Sequence, residues 1–279
     1  VGSRACGAPN CRKIAMSYET IIYERRDRVA LITLNRPAKL NAWTVQLRDE
    51  IVAAIAKAND DAGVGAIVVT GAGRGFCAGA DIDDTFGKQL DGEIEDDFLT
   101  GEAPDWVGIM RRAKPIIAAV NGPSIGVGLT MILSFDYIIA SDRARFCCAF
   151  VKMGVVTELA SSHFLVQRMG WGNACDVALS ARMIEAAEAV ELGLADRLVA
   201  HENLLDEALG MAGVIAQNPS RQVRMVKQLL TQNGTETDLG LVTAREFEML
   251  AQAYETPEHK EAVKAFLEKR PADFRAVEE

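Results

Sequence analysis

Apolar and polar positions along this chain fall into short blocks of two periods. Tyr18 to Tyr23 and Val29 to Asn35 flank the charged turn Glu24-Arg25-Arg26-Asp27-Arg28 and predict two paired strands. From Asn41 to Ala58 the apolar residues Val45, Ile51, Val52 and Ile55 recur at helical spacing. Asp60-Asp61-Ala62-Gly63 ends that helix, and the β-branched run Ala66-Ile67-Val68-Val69-Thr70 predicts a buried strand. Strand, helix, strand in this order is a right-handed crossover unit.

The same alternation continues. Trp106 to Arg112 predicts a short helix, Ile116 to Val120 a strand, Leu129 to Leu133 a short buried helix, and Tyr137 to Ala140 and Arg145 to Phe150 two strands. Ser161 to Met169 and Ala186 to Glu191 predict helices, and Ala195 to Val199 a strand. Beyond His201 the pattern is helical, over 203–217, 220–232, 239–254 and 258–268. The whole reads as an α/β fold, a sheet core followed by a helical C-terminal part. Residues 1–15 read as a leader, disordered or not native to the protein. Residues 16–200 read as the core, and 201–279 as the helical region. Residues 83–105 are acidic and poor in apolar positions, a solvated surface or a cover over a site.

Composition narrows the function classes. Of 279 residues, 49% are hydrophobic and 25% charged, as in ordinary globular enzymes. A net charge of −9 argues against a nucleic-acid surface, which needs clustered Lys and Arg. No apolar run approaches the ~18 residues of a membrane span. The six cysteines form no CxxC pair and there are three histidines, so no metal site is expected. Apolar surroundings of Cys77, Cys147 and Cys148 suggest reduced thiols and a cytoplasmic location.

Two loops invite chemistry. The strand 66–70 ends in Gly71-Ala72-Gly73-Arg74-Gly75-Phe76-Cys77-Ala78-Gly79-Ala80-Asp81-Ile82. The strand 116–120 ends in Asn121-Gly122-Pro123-Ser124-Ile125-Gly126-Val127-Gly128. Small residues after a buried strand leave backbone N–H groups accessible to an anion or a developing oxyanion. Two such loops could hold one carbonyl oxygen. Phe76 stands where a dinucleotide-binding GxGxxG pattern needs glycine, so nicotinamide or flavin binding is not indicated.

Four segments in order carry a family resemblance: Asn35-Arg36-Pro37 with Leu40-Asn41-Ala42; Ala78 to Ile82; Lys114-Pro115 with Ala119-Val120-Asn121-Gly122; and Phe266-Leu267-Glu268-Lys269-Arg270. Together they resemble the crotonase superfamily, the enoyl-CoA hydratase/isomerase family, from about Tyr18 to Phe274. The resemblance implies a spiral of ββα units, a C-terminal helical trimerisation region, an acyl-CoA thioester substrate, and a homotrimer or hexamer. Coenzyme A would belong to the substrate, and no other cofactor is implied. Carried over by position, the two amides that hold the thioester oxygen are those of Ala80 and Val127. Many members have glycine at the second position, but only its amide is needed. The short helix after Val127 would add its N-terminal dipole. CoA contacts map onto Lys39, Leu40, Ala78, Gly79, Ala80, Asp81 and Ile82, with Lys269 reaching the CoA phosphates.

The acid/base group decides the reaction. Hydratases of the family hold a water between two glutamates, and the corresponding positions here are Thr130 and Phe150. Without carboxylates there, adding water to a double bond lacks an obvious base. Glu158, in Met153-Gly154-Val155-Val156-Thr157-Glu158-Leu159-Ala160-Ser161, matches the acidic residue of the family's double-bond isomerases. Asp136 reads as structural. These observations imply conversion of 3-enoyl-CoA to 2-enoyl-CoA. Hydration of 2-enoyl-CoA and a non-catalytic acyl-CoA-binding role are the alternatives.

Overall fold

The computed structural model describes residues 18–81 and 103–277. A sheet of six strands forms the centre. Strand β1 (Ile21–Arg26) pairs antiparallel with β2 (Val29–Leu34). From β2 onward every pairing is parallel, through β3 (Ala66–Gly71), β4 (Ile116–Val120), β6 (Tyr137–Ser141) and β9 (Arg197–Val199). A second sheet holds β5 (Pro123–Ile125), β7 (Arg145–Cys147) and β8 (Ile184–Glu185), with β7 in the middle. This is the α/β architecture that the block pattern predicts.

Parallel strands need cover on both faces, and these have it. Side chains alternate along a strand, so Ile67 and Val69 join one core, with Leu47, Ile51 and Ile55 of α1 (Val45–Asp60). Ala66 and Val68 join the other, with Leu204, Ala208, Ala212 and Ala216 of α6 (Leu204–Ala216). That helix lies so close that a Cβ on Gly65 would stand 2.7 Å from the Cα of Ala216. The first helix after residue 200 is therefore packed into the central sheet.

The intervening helices are α2 (Trp106–Arg112), α3 (Val127–Thr130), α4 (Ser161–Ser180) and α5 (Ala186–Glu191). After α6 come α7 (Ser220–Asn233), α8 (Leu239–Tyr254) and α9 (Pro257–Glu268). Lys227 of α7 reaches back into the core. Its Nζ donates to Asp136 Oδ2 at 2.6 Å and to the Met110 carbonyl at 2.8 Å. The same Asp136 oxygen accepts the Ile116 N–H at 2.7 Å, so Asp136 ties β4 to α7 as a structural carboxylate.

Several element boundaries differ from the sequence reading, among them that of the short buried helix expected over Leu129 to Leu133, which runs over Val127–Thr130. Strand β1 runs on through Glu24, Arg25 and Arg26, because paired edge residues tolerate charge on the solvent face. Helix α1 starts at Val45, not Asn41. Thr44 is its cap, accepting the Leu47 N–H at 3.1 Å, and Leu40 and Asn41 before it are left-handed. The strand from Arg145 stops at Cys147, where a 3-10 turn over Ala149–Met153 begins. Helix α4 continues past Met169, kinked at Gly170, whose φ of 73° and ψ of 168° are not helical.

Candidate active site

The two glycine-rich loops meet backbone to backbone. The N–H groups of Phe76 and Cys77 both donate to the Pro123 carbonyl, at 3.1 and 3.0 Å, and Ile125 N–H donates to the Cys77 carbonyl at 3.0 Å. Contact is so close that a Cβ on Gly128 would stand 2.1 Å from the Cys77 carbonyl oxygen. Gly126 has open space around it, but its φ of 52° and ψ of −122° lie where side-chain-bearing residues rarely go.

Two buried asparagines fix the first loop. Asn41, fully buried, donates to the carbonyls of Ala72 (3.0 Å) and Gly75 (2.9 Å) and accepts the Arg36 N–H at 2.8 Å. Asn121 donates to the carbonyls of Gly73 (3.0 Å) and Gly75 (3.2 Å) and accepts the Gly71 N–H at 3.1 Å. A turn of small residues has few side chains to anchor it, and these amides supply the partners its carbonyls need.

Ala80 lies in a parallel bridge with Trp43. Trp43 N–H donates to the Gly79 carbonyl at 2.8 Å, and Asp81 N–H to the Trp43 carbonyl at 2.9 Å. That pattern turns the N–H of Ala80 away from Trp43. Val127 is the first residue of α3, and first-turn N–H groups have no partner within their own helix. Helix α3 spans four residues, so its dipole adds little. Trp43 and Trp106 stack edge to face, centroids 5.2 Å apart, and the indole N–H of Trp106 donates to the Met131 carbonyl at 3.0 Å. This aromatic pair joins the start of α2 to the end of α3. Cys77 is no nucleophile here: burial pushes its thiol up to about 11.

Glu158 is half-buried on the segment that leaves the second sheet. The path to it is anchored at both ends. Gly126 N–H donates to the Cys147 carbonyl at 2.9 Å, and Val155 N–H to the Phe150 carbonyl at 3.1 Å. After Glu158 the backbone turns sharply. Leu159 and Ala160 both have positive φ, 53° and 54°, and the Ser161 N–H donates to the Glu158 carbonyl at 3.0 Å. Ser161 is buried, and among the described residues its hydroxyl has no hydrogen-bond partner. Next to Glu158 lies an exposed apolar stretch in which Val156 is 83% exposed and Met153 52%. Thr130 is fully buried, and Phe150 packs against the main core.

The remaining predicted binding residues divide. Leu40, Ala78, Gly79, Ala80 and Asp81 come together, since the Ala78 N–H donates to the Leu40 carbonyl at 3.1 Å. Lys39 is exposed beside them on a 3-10 turn. Ile82 and the acidic stretch 83–102 lie outside the described residues. Lys269 stands apart, exposed at the left-handed end of α9. Asp81 is an anchor: its carboxylate accepts from Arg36 Nη2 at 2.9 Å while Arg36 also donates to the Ala42 carbonyl. Sequence reasoning quoted Arg36, Asn41 and Asn121 as motif letters and missed their work as clamps. The signal available was their polar character inside apolar surroundings, without any hint of the distant carbonyls they bind.

A parallel sheet feeds two facing glycine loops, and Glu158 lies on the segment that follows the second sheet. The sequence model of the enoyl-CoA hydratase/isomerase family matches residues 24–277, and the chain belongs to that family within the crotonase superfamily. A Rhizobium meliloti protein described as "Probable enoyl-CoA hydratase" is 39% identical over 263 residues, 93% of this chain and 99% of that one. The 1,2-epoxyphenylacetyl-CoA isomerase of Escherichia coli K12 is 32% identical, covering 88% and 94%. The solved structure of an enoyl-CoA hydratase from Bacillus anthracis superposes with a TM-score of 0.82 at 27% identity, over 92% of this chain and 99% of that one. Among the described residues, no helix is long and apolar enough to cross a membrane.

Proposed function

We propose that the protein moves a double bond in an acyl-CoA thioester, converting 3-enoyl-CoA to 2-enoyl-CoA. One observation carries this reading: Glu158 is present while Thr130 and Phe150 occupy the positions that bear the paired glutamates of hydratases. Thr130 is enclosed, with its hydroxyl 3.5 Å from the Val127 carbonyl, and Phe150 is committed to the core. Neither can activate a water.

The steps use groups already described. The thioester oxygen accepts the N–H groups of Ala80 and Val127. Glu158 takes the α-proton, and the C–H electron pair moves into the dienolate, whose oxygen gains charge against those two donors. Glu158 then delivers the same proton to the γ-carbon, the double bond settles between the α- and β-carbons, and the carboxylate is restored. No atom is gained or lost, so the reading calls for no cofactor beyond the CoA that the substrate carries. Removing one such donor typically costs about 3–4 kcal/mol of transition-state stabilisation. Lys39, Leu40 and residues 78–81 line the CoA path in this reading, with Lys269 toward the phosphates.

The protein acts as a homotrimer or hexamer in this proposal. Phe266 (82% exposed) and Leu267 (74%) next to Lys269 supply apolar surface for subunit contact. Free thiols at Cys77, Cys147, Cys148 and Cys175 fit a cytoplasmic setting.

Hydration is the second reading, and the names of most relatives favour it. The test is to supply 3-enoyl-CoA and 2-enoyl-CoA separately and follow both reactions in parent and Glu158→Gln. Isomerisation should dominate, and the variant should lose on the order of 10²–10⁴-fold, the usual contribution of a positioned acid/base. Hydration equal to or above isomerisation, unchanged in Glu158→Gln, would overturn the reading. CoA binding without turnover of either substrate would mark a binding protein.

A further inference from the structure

The residues after Glu158 break local rules of backbone preference. A turn closed by an i to i+3 hydrogen bond with positive φ at both central positions is ordinarily made with Gly, Asn or Asp. Here the central residues are Leu159 and Ala160, at φ 53° and 54°. A left-handed backbone costs a residue with a Cβ roughly 1–2 kcal/mol. Ala160 is also the cap of α4, and it offers no side-chain hydrogen bond to the first turn. Alanine is among the poorest cap residues. Its side chain is exposed, so packing does not account for the choice. Leu159 does pack on the core, which pins one side of the turn.

The ends of the turn are held as firmly as its centre is strained. Ala160's carbonyl accepts the N–H groups of His163 and Phe164 at 3.0 and 3.1 Å, and Phe164 is buried. Glu158's carbonyl accepts the Ser161 N–H. The strained pair is thus clamped between the first turn of α4 and the carboxylate-bearing residue. Strain that persists in an over-determined setting is a recurrent companion of chemistry.

We propose that Leu159 and Ala160 are positioning residues, whose left-handed, glycine-free turn holds the Glu158 carboxylate rigid while it carries one proton between two carbons. This rests on the isomerase reading above. A base that must collect a proton at one carbon and release it at another gains from a fixed backbone. A looser one loses the proton to water between the two steps.

The test uses the full-length protein with Ala160→Gly, Ala160→Asn and Glu158→Gln, assayed with 3-enoyl-CoA in H₂O and in D₂O. Glycine relieves the strain and removes the rigidity. Asparagine accepts left-handed backbone while keeping a side chain. For Ala160→Gly we expect kcat to fall about 3–10-fold at unchanged KM, an unchanged or raised Tm, and more solvent deuterium at the γ-carbon of the product. Ala160→Asn should keep the parent's kcat and its low deuterium uptake. Parent-like kcat and deuterium content in Ala160→Gly, with Glu158→Gln inactive, would overturn the positioning role and leave the isomerase reading standing. A Glu158→Gln variant as active as the parent would overturn both. A fall in Tm for Ala160→Gly with no change in kcat would assign the turn to stability alone.

Discussion

The two glycine-rich loops and the segment that carries Glu158 are built on opposite plans. The loops obey local rules. Glycine stands at 71, 122 and 128, where a Cβ would strike facing backbone, and Asn41 and Asn121 bond the carbonyls of Ala72, Gly73 and Gly75. The Glu158 segment departs from those rules, with non-glycine residues at positive φ, a buried hydroxyl without a partner and a weak helix cap. What the difference teaches is a division of labour. A carbonyl-holding frame can be shared by many reactions and is best made of unstrained backbone. The group that selects the reaction is an addition to the frame, and it is there that sequence and backbone preference conflict.

The comparison can be broken most forcefully at Gly128. A Cβ there meets the Cys77 carbonyl oxygen at 2.1 Å, so Gly128→Ala must push the two loops apart. We expect kcat to drop about 10²–10³-fold, the scale of a lost oxyanion donor, with acyl-CoA affinity measured separately by calorimetry. An active Gly128→Ala would show that the loops need not touch. Asn41→Ala comes next. It strands the Ala72 carbonyl and the Arg36 N–H and leaves the Gly75 carbonyl to Asn121 alone, and each unsatisfied buried group costs about 1–3 kcal/mol. Chemical denaturation should show a loss of about 2–4 kcal/mol, with activity falling in parallel.

A change in the second region should go the other way. Ser161's hydroxyl is buried without a partner, so Ser161→Ala should raise stability by about 1 kcal/mol in the same denaturation assay. A loss of stability would show that the hydroxyl is bonded and the segment less exceptional than described. The smallest effect concerns acid. Glu261 accepts from Arg270 at 2.6 and 3.0 Å and from the Asp273 N–H, and these bonds hold its carboxyl at about 2, below the 4.5 of a free glutamate. A depressed carboxylate stabilises the fold above about pH 4.5, and that contribution fades as pH falls from 4.5 toward 2. The Tm gap between parent and Glu261→Gln should therefore narrow over that window and stay level above it. A gap constant down to pH 2 would remove this pair from the acid response.

Much of this was legible in the sequence, for identifiable reasons. Strands β3 and β4 are continuous apolar runs that only a doubly covered parallel sheet can bury. The loops were legible because glycine clusters directly after such strands. The spacing of Asn41 to Val45 predicts a helix start at Asn41, whereas its left-handed backbone and its partners at Ala72 and Gly75 depend on a fold already formed. The apolar pattern predicts a helix over Ser161 to Met169, but α4 continues through the kink at Gly170, with Met169 and Ala174 buried on either side. The pairing of Arg36 with Asp81 joins residues far apart in the chain, which no periodicity reveals.

Helix α6 carries one more consequence. Its alanines cover Val29, Leu31, Val68, Ile117 and Ile139, all of which belong to strands made much earlier in synthesis. A nascent chain that has not yet released Leu204–Ala216 holds an assembled row of parallel strands with one bare apolar face. Premature termination anywhere before Leu204 would leave that face permanently bare, and such fragments should be recovered with chaperones or in aggregates.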